Sequence, residues 1–96
     1  MWADSSKPVR VVGGDVNFYE DYTVTNLYVE RVFGGIVESL TITNDSDTDI
    51  ISVSFDGATL EGELNPGESL TLNVKGRTSV YVKGDTGDDQ ARLWGW

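Results

Sequence analysis

Asp45, Asp47 and Asp49 stand at alternate positions in the stretch NDSDTD, and Asp56 follows at the twelfth place counted from Asp45. That spacing begins an oxygen-donor loop for calcium and makes the three aspartates a candidate cation site. The sixth place, where the sharp turn of such a loop calls for glycine, holds Ile50, and a strand pattern rather than a helix follows. Asp85, Asp88 and Asp89 form a second acidic loop; if both loops fall at one end of the fold, cation binding there gains ground. Glu61, Glu63 and Glu68 lie close enough in sequence to suggest the paired carboxylates of glycoside hydrolysis. Glu61 and Glu63 flank Gly62 on an expected surface strand, however, and acids are abundant throughout, so a solvated surface accounts for them.

Other chemistry is harder to build. The chain has no histidine and no cysteine, so it lacks the usual neutral-pH base and the thiol nucleophile. No phosphate-cradling glycine motif occurs, and no cofactor is expected. These residues point away from an enzyme.

The aromatic residues say more. Tyr19, Tyr28, Tyr81, Trp94 and Trp96 fall on or near expected outer faces, and Trp94 and Trp96 lie two apart with Arg92 beside them. Exposed Trp and Tyr serve both protein interfaces and sugar platforms. Trp2, alone in a polar terminus, either folds back or inserts into a neighbour. Trp2, Tyr81, Arg92, Trp94 and Trp96 are the candidate interface residues; the alternative is that the tryptophan face packs on the N-terminal strands.

The elements that must carry these residues are strands. Leu40 and Ile42 share one parity, as do Ile51, Val53 and Phe55, then Leu70, Leu72 and Val74, then Val80 and Val82. Such period-two alternation buries one face of a strand and wets the other. Between the strands stand turn signals: Gly34-Gly35, Asp56-Gly57, Asn65-Pro66-Gly67 and Gly76-Arg77, the last expected to close the clearest hairpin. The segment 16–33 changes parity near Asn26, which predicts two strands or one broken by a bulge. With an edge strand at 8–13 opened by Pro8, the count reaches seven or eight. The expectation is an all-β, single antiparallel β-sandwich, jelly-roll or immunoglobulin-like, spanning 8–96 behind an extended N-terminal arm at 1–7.

Composition narrows the partners. Sixteen acidic and seven basic residues leave a formal charge of −9, which opposes nonspecific contact with nucleic acid. No run of about 18 apolar residues is present, so no membrane-spanning helix is expected. The first ten residues lack the pattern of a secretory signal, which suggests synthesis in the cytoplasm. At 96 residues without disulfides the core is lean, and self-association is a natural source of added stability.

Taken together, SLTITNDSDTDIISVSFDG, LNPGESLTLNVKG and SVYVKGDTGDDQARLWGW resemble the small β-sandwich proteins of tailed bacteriophage virions, among them decoration proteins, head fibres and neck or tail proteins. The resemblance covers about residues 37–96 and carries over no functional residue. It implies a homo-oligomer, such as a trimer, located in the virion and bound to a capsid or other virion protein. The alternatives are a carbohydrate-binding or adhesion module of the tail-fibre type and an acidic inhibitor that imitates DNA.

Overall fold

The computed structural model describes residues 18–86 and 89–96. Trp2, the arm at 1–7 and the strand expected at 8–13 lie outside the described residues. Among the described residues six strands form: β1 (Phe18–Val24), β2 (Val29–Asn44), β3 (Ile51–Ser54), β4 (Gly62–Leu64), β5 (Ser69–Gly84) and β6 (Asp89–Gly95). They make one open antiparallel sheet in the order β1-β6-β2-β5-β3-β4.

The all-β, antiparallel expectation holds, while two of the expected breaks between strands are corrected. Gly34-Gly35 and Gly76-Arg77 do not separate strands; β2 and β5 run through them, each for 16 residues. The expected hairpin at Gly76-Arg77 is absent, and its two halves are one bent strand. The register gives the reason. Between Val32 and Val37, β2 advances five residues while β5 moves only two, from Ser79 to Arg77. From Val37 to Ser39, β2 advances two while β5 moves four, from Arg77 to Asn73. Each strand therefore carries one bulge, and bulges bend the strand that holds them. Gly34 and Gly76, both at φ 81°, and Lys75 at φ 56° take the left-handed conformation the bends need.

The bulges also decide which residues face the core. Across the two shifts the inward parity of β2 changes, from Phe33 and Val37 to Leu40 and Ile42. In β5 the excess of two is even, so Leu70, Leu72, Val74, Val80 and Val82 keep one phase throughout. Because both long strands bend at one place, the sheet turns over its own inner face. β6 separates β1 from the later half of β2, yet β1 meets the earlier half across the interior. The Phe18 and Phe33 rings lie 5.0 Å apart, Arg31 stands 4.1 Å over the Tyr22 ring, and Arg31 Nε donates to Glu20 at 2.9 Å. Val24, Val37, Leu40, Ile42, Ile51, Val53, Leu64, Val80, Val82 and Leu93 are fully buried between the halves.

Short turns finish the design. The parity change near Asn26 is a real break between β1 and β2. At Asn65-Pro66-Gly67, the Glu68 amide donates to the Asn65 carbonyl at 3.0 Å and Gly67 has φ 81°, as a type II turn requires.

Candidate binding face

The register aligns outward side chains of β1, β6, β2 and β5 in rows. Tyr19, Trp94, Thr41 and Thr71 form one row, and Asp21, Arg92, Thr43 and Ser69 the next. Thr23 and Gln90 begin a third. On the other side, the Trp96 amide donates to the Ser39 carbonyl at 2.9 Å, which aligns Trp96 with Ser39 and Asn73. This face follows directly from alternation: Ala91 and Leu93 point into the core, so Arg92 and Trp94 point away from it.

Contacts knit the rows into a fixed surface. The Tyr19 and Trp94 rings are 5.4 Å apart, and the Arg92 guanidinium lies 5.3 Å from the centre of the Trp94 ring. Arg92 also grips Asp45 with two bonds, Nε to Oδ2 at 2.6 Å and Nη2 to Oδ1 at 2.9 Å. Planar two-point pairing of this kind fixes orientation as well as charge. The hydroxyls of Thr41 and Thr71 bond at 2.9 Å, and those of Thr43 and Ser69 at 2.6 Å. Gln90 receives a bond from Thr23 and donates to Asp21 at 3.0 Å.

Arg92, Trp94 and Trp96 thus come together, and Tyr19 joins them. The expectation that Trp94 stands exposed is corrected: it is only 9% accessible, because Tyr19 and Arg92 cover it, while Tyr19 itself remains 53% exposed. Tyr81 belongs to the other half of the sheet. It is half-buried beneath the 55–61 loop, where a Cβ on Gly57 would come within 3.0 Å of its ring.

The acidic candidates disperse. Asp45 is held by Arg92, Asp47 is exposed, and Asp49 turns toward Thr86, whose hydroxyl donates to it at 2.7 Å. Asp56 accepts the amides of Ala58 at 2.8 Å and Thr59 at 2.7 Å, so it closes its own turn. These amides, with the hydroxyls of Thr59 and Ser54, hold its carboxyl far below the usual carboxylate range. Among the described residues no group of three or more histidine, cysteine, aspartate or glutamate side chains stands together as a metal site. Glu61, Glu63 and Glu68 do not gather either; all are exposed, and Glu68 accepts the Asn65 amide at 2.7 Å.

One residue that composition and motifs overlook organises the adjoining loops. Asn44 is fully buried; its Nδ2 donates to the carbonyls of Asp49 at 2.8 Å and Leu64 at 2.9 Å, and its Oδ1 accepts the Ser46 amide at 2.8 Å. Its even parity with Leu40 and Ile42 was the available signal, since an amide in an inward position must find partners.

The arrangement can present a stiff, planar surface of one open aromatic ring, hydroxyls, an amide and a bidentate ion pair. Compared with known proteins, the chain matches no family model, no curated protein and no solved structure.

Proposed function

We propose that this protein is a non-enzymatic structural module of a bacteriophage virion, a decoration protein that binds the assembled shell as a homo-oligomer. The two halves of its bent sheet serve as the layers of an open sandwich, and the β1-β6-β2-β5 face makes the contact. What supports the reading is the state of that face: Arg92 is paired with Asp45, Asp21 accepts from Gln90 and the threonine and serine hydroxyls are bonded, with Tyr19 left open. A surface so preorganised loses little side-chain freedom on docking.

Tyr19→Ala tests this. The replacement should lower the oligomeric fraction by light scattering and the recovery of the protein on purified shells, with the unfolding midpoint nearly unchanged. Undiminished assembly and shell binding would count against the reading.

A carbohydrate-binding module is the second reading, favoured by the exposed Tyr19 ring beside Asp21, Gln90 and Thr23. It requires a saccharide-dependent change in tryptophan fluorescence, and a glycan screen without hits at millimolar ligand would remove it. Imitation of DNA gains nothing from the fold, because Glu20 points inward to Arg31, Asp89 is buried and Asp56 closes a turn.

A further inference from the structure

With sixteen acidic residues to seven basic ones, a cation without a carboxylate is unusual in this chain. Among the described residues, Arg31 pairs with Glu20 and Arg92 with Asp45, while Lys75 and Arg77 pair with no acid. Both are exposed at the bend of β5 and line one groove of about 560 Å³ with Phe55, Asn73, Val74 and Thr78. The fold holds them there. The Asn73 side-chain oxygen accepts the Lys75 amide at 3.1 Å, and Lys75 and Gly76 both take the left-handed backbone of the bulge. The Arg77 guanidinium lies 4.4 Å over the Phe55 ring, an attraction that positions the charge without neutralising it. Glu38 approaches the Gly76 backbone from β2 but pairs with neither cation.

The same stretch of β5 has an unused side. β3 accompanies β5 only from Gly84 back to Tyr81, which pair with Ile51 and Ser54. From Thr78 back to Ser69, β5 pairs among the described residues with β2 alone. In a strand with one neighbour, alternate residues turn their amide and carbonyl to the open side, where another strand can join. Phe55, the residue after β3, lines the groove, so the groove lies on this open side and begins where β3 leaves off.

We propose that an extended acidic segment of a partner protein joins β5 there as an added strand, with its carboxylates on Arg77 and Lys75. Backbone bonds to the open edge supply attachment, and the groove supplies the preference for side chains. Charge decides the chemistry of the occupant. Two cations inside a chain of formal charge −9 suit a short run of carboxylates, whereas a long polyphosphate would run on over the acidic surface and be repelled. This contact goes beyond the shell-binding face. The groove shares only Asn73 with the rows of that face, and its test needs no shell, so either reading can fail alone.

A short fluorescein-labelled peptide of alternating glutamate and threonine, which puts every carboxylate on one face of a strand, is the probe. Added to the full chain at low salt, it should bind by fluorescence anisotropy, and a lysine-threonine peptide should not. Lys75→Gln combined with Arg77→Gln should weaken binding about tenfold, since each exposed ion pair contributes modestly, with the unfolding midpoint little changed. Amide exchange should slow on binding at alternate residues between Ser69 and Thr78. No binding, equal binding of the two peptides, or an unweakened double variant would refute the charged groove. Binding without slowed exchange in that stretch would refute the added strand. If the protein alone slows these amides as its concentration rises, and salt reverses the effect, the occupant is a second copy and the partner strand is ruled out.

Discussion

At the scale of single residues, burial separates two neighbours on the same face. Trp94 is a structural residue: with 9% of its surface open, its ring is covered by Tyr19 and Arg92, so Trp94→Ala should cost about 3 kcal/mol in urea denaturation. Tyr19→Ala, at an exposed edge of the same cluster, should cost less than about 1 kcal/mol. Equal losses would show that the two rings share the same surroundings. Asn44 makes a sharper case. Its side chain bonds two carbonyls and one amide, from the loop after β2 and from β4, with no access to water, so Asn44→Ala leaves those groups unpaired. A loss of about 3 kcal/mol is expected, with faster amide exchange at Ser46. A cost below about 1 kcal/mol would mean that water replaces the side chain.

At the scale of elements, the paired bulges in β2 and β5 decide the architecture, and adjacent glycines test them. Gly34 has φ 81° with open space where a Cβ would go, so strain alone opposes a side chain there. Gly34→Ala should destabilise by about 1 kcal/mol. Gly35 has the same open space without a left-handed backbone, and Gly35→Ala should be neutral or stabilise by about 0.5 kcal/mol through the unfolded chain. Opposite signs in thermal unfolding verify the bend; like signs refute it. These glycines also show how far the sequence could be read. Alternation at Leu40, Ile42, Ile51, Val53, Val80 and Val82 revealed strands and their inward faces, because side-chain parity is local. A glycine needing positive φ serves turns and bulges alike, so Gly76-Arg77 passed for a hairpin although the even phase of β5 never broke. Arg92 and Trp94 were placed on the outer face by parity. The cover supplied by Tyr19 depends on a segment distant in sequence and carries no local signal.

At the scale of the whole molecule, charge and contact face pull in opposite directions. A formal charge of −9 makes any two copies repel, while the proposed contact offers an open aromatic ring and an arginine already neutralised by Asp45. Attraction over such a face acts at contact distance and depends little on salt, whereas repulsion between net charges reaches across the screening length. That length shrinks from about 30 Å at 0.01 M salt to about 3 Å at 1 M. Assembly through the β1-β6-β2-β5 face should therefore strengthen as salt is added, and also as pH falls toward the pI near 4.1. Light scattering at fixed protein concentration reads both trends. Assembly that weakens with salt would mean copies join by opposite charges, and that would move the interface to Lys75 and Arg77 at the bend, where both are exposed and Arg77 lies 4.4 Å over the Phe55 ring.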